Sequence, residues 1–382
     1  MTAPLDGLVV ADFSRVLAGP LATTALADLG ARVIKVERPG EGDDTRAWGP
    51  PWTRTSSSYF ECANRSKKSI ELDLRDADDR ETAYELVRRA DVLVENFRAG
   101  GLGRFGLGYE DTRALNRRLV YCSVSGFGSG AGAALPGYDF IVQAMGGLMS
   151  ITGEPDAEPS KVGVALVDVL TGKDAVIAIL AALADRERTG QGQHVEVNLL
   201  SSLLGSLANQ ASAYLATGVA PGRMGNQHPS IAPYETLHCR DGLIAVACGN
   251  DGQFRRLAKT LGLGDVADDD RFSTNPARVA HRTELVAALE SVLCTADASY
   301  WQQALLDADV PVGEVGDIGS AIARARELGL DPTVDVGSDH PHQVRHPISY
   351  SRSTVAKPTP PPRLGQHNDE VRRWLADETR RP

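Results

Sequence analysis

The chain is poor in cysteine and in basic charge, and it has no long apolar run. Cys62, Cys122, Cys239, Cys248 and Cys294 are its five cysteines in 382 residues, odd in number and far apart, with no Cys-x-x-Cys pair. That excludes a disulfide framework and offers no zinc-ligand spacing. Reduced structural thiols in a cytoplasmic protein are the expectation. The histidines are equally scattered; His340 and His342 are close but lie in a Pro/Asp-rich loop, and no metal is assigned. Lys and Arg number 40 against 50 Asp and Glu, a net charge of −10. Such a balance disfavours nucleic acid or an anionic membrane as a general partner and leaves room for a local basic pocket. No apolar stretch reaches membrane-spanning length. The start, Met1 to Asp6, lacks the basic flank and apolar core of a signal peptide.

What is present is an alternation of strand and helix signals. Leu8 to Phe13 reads as a buried strand, Leu21 to Leu29 as a helix closed by Gly30, and Ala31 to Glu37 as a second strand stopped by Arg38-Pro39-Gly40. Ser69 to Leu74, Ala90 to Asn96 and Leu119 to Ser125 read as further strands, with a helix over Asp79 to Arg89. This spacing predicts an α/β fold, a large Rossmann-like domain on a parallel sheet. Ligands then bind outside the carboxyl ends of the strands, at the loops starting at Phe13, Arg38, Asn96 and Gly126. No G-x-G-x-x-G follows the first strand, so a nicotinamide enzyme is disfavoured. The length supports two domains. We expect a large domain over 1–190, a linker helix over 191–224, a smaller α+β domain over 225–320, and a return segment over 321–382 that rejoins the large domain. No internal repeat is visible.

One carboxylate interrupts the apolar run from Val162 to Leu170, at Asp168. Desolvating a bare carboxylate is expensive, so it must be hydrogen-bonded, paired or chemically used. Two readings stay open from the run alone. Asp168 is either the N-cap of the long helix that follows, or a poorly solvated nucleophile at a strand end. Arg15, Arg38, Arg75, Arg98 and Arg104 fall at or just beyond strand ends. Singly each reads as a solvated charge; together they form a candidate phosphate-binding rim. Asn96-Phe97-Arg98 joins an amide, an aromatic face and a guanidinium, which suits a nucleotide. Tyr138, after Pro136-Gly137, reads by default as a half-buried aromatic at a helix start.

With these residues assembled, the chain resembles the class III CoA-transferases (CaiB/BaiF type), the family of formyl-CoA transferase and carnitine CoA-transferase, over essentially its whole length. The resemblance rests on Asp12 to Pro20, Val33 to Gly40, Val94 to Arg98, Gly137-Tyr138-Asp139, Asp168 to Gly172 and Thr189 to Gln193. Asn226, His228-Pro229, Ala232-Pro233-Tyr234 and Leu364 to His367 continue it in the same order. It implies an enzyme that moves CoA between an acyl-CoA and a carboxylic acid through an aspartyl-CoA thioester, with Asp168 as the catalytic aspartate. It implies a CoA site lined by Val16, Leu17, Arg38, Leu72 to Arg75, Asn96, Phe97, Arg98, Arg104 and Tyr138. It also implies an interlocked homodimer, with CoA and acyl-CoA as substrates and no tightly bound cofactor. Two departures bear on substrate. Pro136 stands where the formyl-CoA enzymes carry a lysine, and Cys248-Gly249-Asn250-Asp251-Gly252 replaces their run of glycines. The first removes one phosphate partner, and the second disfavours oxalate against a larger acid, a dicarboxylate such as succinate or a branched relative. The alternatives are an α-methylacyl-CoA racemase, which needs a histidine where Tyr138 stands, and a non-catalytic acyl-CoA-binding protein, which would not need Asp168.

Overall fold

The computed structural model describes residues 2–377. Its main sheet has six parallel strands, β1 (Val9–Asp12), β2 (Arg32–Glu37), β3 (Lys67–Glu71), β4 (Val92–Glu95), β5 (Val120–Ser125) and β6 (His194–Asn198), in the order β3-β2-β1-β4-β5-β6. The helices between them are α1 (Ala18–Asp28), α2 (Ser58–Glu61), α3 (Ala77–Arg89), α4 (Tyr109–Leu115), α5 (Asp139–Met145) and α6 (Leu166–Thr189). Two more, α7 (Leu199–Ser206) and α8 (Ala208–Thr217), follow β6.

Side chains alternate across a strand, and here both faces are apolar. Val10, Val33, Val92, Val94 and Val120 pack on one side with Ala22 and Leu26 of α1 and Ala175 and Ile179 of α6. Ala11, Ile34, Ile70 and Leu93 pack on the other with Leu86 and Val87 of α3. Strand order reverses between β1 and β4, which puts a crevice at the carboxyl ends of those two strands. Gly172 lets α6 approach α1 there: a Cβ at this position would lie 2.8 Å from the Ala18 carbonyl oxygen.

The chain divides into two compact units. The first comprises 1–148, 162–218 and 331–382, the second 149–161 and 219–330. The stretch 191–224, expected as a linker helix, carries β6 as well as α7 and α8, all in the first unit. The second unit has an antiparallel sheet, β7 (Tyr234–His238), β8 (Leu243–Ala247) and β9 (Val312–Glu314), in the order β7-β8-β9. Its helices are α9 (Asp251–Thr260), α10 (Gly264–Asp268), α11 (Asn275–Ala280), α12 (Arg282–Leu293), α13 (Ala298–Asp307) and α14 (Ile318–Glu327). Leu237, Ile244, Phe254, Leu289 and Trp301 are among its buried core. The return segment holds a short pair, β10 (Thr333–Val334) with β11 (Gln343–Val344), and ends in α15 (Asn368–Ala376), whose Val371 and Leu375 complete the α3 face of the main sheet. No helix among the described residues is long and apolar enough to cross a membrane.

Candidate active site

Two cavities open at the carboxyl end of the main sheet. The larger, about 560 Å³, is lined by Arg15, Lys35, Arg38, Leu72, Arg75, Phe97 and Arg104 among others. The smaller, about 230 Å³, includes Arg15, Val16, Leu17, Asn96, Phe97, Arg98, Tyr138 and Asp168 in its lining. Asp168, the five rim arginines and the residues expected to line the CoA site thus all line one or the other, and Arg15 and Phe97 line both. The crevice between β1 and β4 is bridged by Asn96. Its Oδ1 accepts from the Arg15 N–H at 2.9 Å, and its Nδ2 donates to the Arg15 carbonyl at 2.7 Å.

Three arginines of the larger cavity rest on exposed carboxylates. Arg38 pairs with Glu41 at 2.6 Å, Arg15 with Asp44 at 2.7 Å, and Arg75 with Asp73 at 2.8 Å. The Arg104 guanidinium lies over the Phe105 ring, 4.6 Å from its centroid. Exposed pairs of this kind are worth about 0–1 kcal/mol, so an anionic ligand displaces them at little cost.

Asp168 is neither at a strand end nor a helix cap, the two placements its apolar run had suggested. The segment 162–165 is irregular, and Asp168 lies in the first turn of α6, whose N-cap, Ala165, supplies no side-chain bond. The capping is done from another helix. Asp139, buried at the start of α5, accepts the Val167 N–H at 2.8 Å and the Asp168 N–H at 3.2 Å. Gln143, one turn further along α5, donates to Asp139 at 2.6 Å and accepts the Val162 N–H at 2.9 Å. With the first turn satisfied from outside, the Asp168 carboxylate accepts no hydrogen bond from any described residue. Burial first, and then the charge of Asp139, push its carboxyl up to about 7.

Several site residues carried no sequence signal. Tyr59 of α2 is one: burial and then the charge of Asp168 push its phenol up to about 12. A buried charge cluster reaches the wall of the larger cavity through Lys35 and Asp43. Lys67 donates to Asp12 at 3.0 Å, and Lys35 pairs with Asp43 at 2.8 Å. Burial would raise the Asp12 carboxyl, but Lys67, Lys35 and the Ser14 and Thr23 hydroxyls outweigh it and bring it to about 2. The wall formed by 126–137 is pinched at its base, because a Cβ on Gly126 would lie 2.4 Å from the Gly137 Cα. Only glycine at both positions allows that approach.

Comparison with known proteins gives a consistent result. The family model described as CoA-transferase family III matches residues 5–368. The chain is 46% identical to a succinate–glutarate CoA-transferase of Agrobacterium fabrum, covering 96% of this chain and 94% of that one. It is 45% identical to an acetyl-CoA:oxalate CoA-transferase of Acetobacter aceti, over 83% of this chain and 82% of the other. Among solved structures, a CAIB/BAIF family protein from Brucella suis superposes with a TM-score of 0.89 at 46% identity, covering 98% of this chain and 100% of that one.

Proposed function

Because the chain belongs to CoA-transferase family III, we propose that Asp168 is the carboxylate that attacks the donor thioester. The protein is an acyl-CoA:carboxylate CoA-transferase. The observation that carries the proposal is the state of Asp168: half-buried, without a hydrogen bond to its carboxylate, and raised to about 7 in the smaller cavity. An anion so poorly satisfied gains more from bond formation than a solvated one.

The chemistry follows from the residue. The Asp168 carboxylate adds to the acyl-CoA carbonyl, the carbon–sulfur bond breaks, and a mixed anhydride and CoA thiolate result. The thiolate attacks the aspartyl carbonyl of the anhydride, releasing the donor acid and leaving an aspartyl-CoA thioester. The acceptor acid attacks that thioester and the steps run in reverse, restoring Asp168 and delivering the new acyl-CoA. For the charged end of CoA, Arg38 and Arg75 exchange their exposed carboxylates for phosphates in the larger cavity, and Arg104, resting on the Phe105 ring, adds a third cation. Val16, Leu17, Leu72, Asn96, Phe97, Arg98 and Tyr138 line the path to Asp168.

We read the acids as dicarboxylates. The two relatives named above act, by their names, on succinate and glutarate, or on acetyl-CoA and oxalate, so each name includes a dicarboxylate, and Arg15 and Arg98 bring two cations to the smaller cavity for a remote carboxylate. Chain length is left to a panel of acids from oxalate to glutarate; a preference for monocarboxylates would refute the class. We also read the working unit as a homodimer. Phe140 and Met145 of α5, Ile177 of α6 and Leu215 of α8 are exposed, and α8 has no buried residue in the single chain. A monomer mass in light scattering would refute that. The nucleophile is tested by trapping: acyl-CoA is added, then hydroxylamine or borohydride, and Asp168 is examined by mass spectrometry. Modification at Asp168 is expected. An unmodified Asp168 during demonstrated turnover overturns the assignment.

A further inference from the structure

We propose that Asp43, held by Lys35, is a positioning residue for the acyl-CoA. Its carboxylate keeps the Arg15–Val16 step in a left-handed turn that forms the wall shared by the two cavities. The inference rests on the reading of those cavities as the substrate site.

Val16 has φ of +69°, among the described non-glycine residues with positive φ, and it is β-branched. Its two Cβ substituents make this region costly, which is why such turns usually carry glycine or asparagine. The turn has a use. Between the end of β1 at Asp12 and the start of α1 at Ala18, the chain must send the Arg15 side chain out to both cavities and tuck Leu17 inward. A single left-handed residue performs that reversal, but valine does not favour it, so other groups must hold it.

They do so entirely with side chains. The Ser14 N–H donates to Asp12 at 2.9 Å, and the Ser14 carbonyl accepts from Lys35 Nζ at 2.8 Å. Both polar groups of the Arg15 backbone are bonded to Asn96. The Val16 N–H is shared between the two Asp43 oxygens at 3.2 and 3.3 Å. Asp43 is itself fixed. It accepts from the Thr45 N–H at 3.0 Å, from the Thr45 hydroxyl at 2.8 Å and from Lys35, with both charged side chains 1% exposed or less. A buried pair of this kind contributes little net stability and is better suited to fixing geometry. Asp43 stands in the wall of the larger cavity and Val16 in that of the smaller. The clamp therefore sets the spacing between the place where phosphates bind and the place where the thioester meets Asp168.

The test is a double-mutant cycle read in kcat and KM for succinyl-CoA with glutarate as acceptor, well below the unfolding temperature. Asp43→Asn is measured alone and combined with Val16→Gly, each against its own parent. Asp43→Asn should lower kcat/KM about tenfold to a hundredfold when valine is present, and about threefold or less in combination with Val16→Gly, since glycine holds the turn unaided. Equal losses in both backgrounds overturn the proposal, because a merely structural role would lower Tm without being relieved at position 16. If Asp43→Asn does not fold, Thr45→Val, which removes one bond orienting Asp43, replaces it in the same cycle. Asp168→Asn separates the two readings. Full activity of that variant would defeat the assignment of the site, whereas its inactivity with an additive cycle defeats only the clamp.

Discussion

Replacing the proposed nucleophile by its neutral isostere should make the protein more stable, and only above a certain pH. The Asp168 carboxyl ordinarily titrates at 3.8 and is raised to about 7 in the folded chain. Below 3.8 both states carry the proton, and nothing is lost. Between 3.8 and about 7 the unfolded chain ionises while the folded one keeps its proton. Folding stability therefore falls by about 1.4 kcal/mol per pH step and levels off above about 7. The full span amounts to about 4 kcal/mol, and water reaching this half-buried group reduces it to roughly 2 kcal/mol. Asp168→Asn removes the ionisation and with it the loss. Urea unfolding of both proteins should give nearly equal stabilities at pH 4 and a gap of roughly 2 kcal/mol in favour of the variant at pH 8. Thermal unfolding at pH 8 should show a rise of roughly 4 °C. Comparing two proteins that differ at one atom type cancels the titrations that are not coupled to Asp168. A gap of the same size at both pH values, or a less stable variant at pH 8, would refute the account of Asp168 as an unsatisfied anion.

The same environment sets the rate profile and the response of the rim. As the anion is the attacking form, kcat/KM for acyl-CoA should climb with pH and level off above about 7; Asp139→Asn, which removes the neighbouring charge, should move the midpoint to lower pH, and a profile unmoved by that change would count against the coupling. Arg38→Gln and Arg104→Gln should each raise KM for acyl-CoA about tenfold through a lost charge-assisted phosphate contact, with kcat little changed. A pantetheine thioester without phosphates should be insensitive to both, and an equal effect on it would place those arginines elsewhere.

How far these features could be read beforehand varies with their physical origin. The parallel strands β1, β2, β4 and β5 were legible because buried strands write themselves as short aliphatic runs, whereas β3, Lys67–Glu71, has one aliphatic residue and begins two residues before the expected Ser69 to Leu74. The carboxyl-end loops followed from the strands. Asp168 was legible as an anomaly but not in its placement. Val167 and Val169 favour a strand by local preference, and the helix begins there because Asp139 of α5, held by Gln143, accepts N–H groups of its first turn. That contact spans about 30 residues of sequence and leaves no local trace. The same holds for the clamp on Val16: Lys35 and Asp43 read as ordinary polar residues and Asn96 only as part of a nucleotide site, and their role in the turn exists only after β2 and β4 have been laid beside β1. The β10–β11 pair, two residues to a strand, is too short to produce a pattern.

The contrast between two aspartates at this end of the sheet explains why the division of labour matters. Asp12 accepts from the Ser14 N–H, the Ser14 and Thr23 hydroxyls and Lys67, and its carboxyl is brought down to about 2. Asp168 receives none of these and stands at about 7. Had Asp168 capped its own helix, the N–H groups of the first turn would have lowered its carboxyl as the bonds to Asp12 do, and a well-satisfied carboxylate is a weak nucleophile. Because Asp139 takes over the capping, α6 starts without drawing on Asp168, and the charge that replaces the cap pushes Asp168 the other way. One buried carboxylate therefore does two jobs. It begins the helix that carries the reactive group, and it withholds from that group the stabilisation a helix start would otherwise supply.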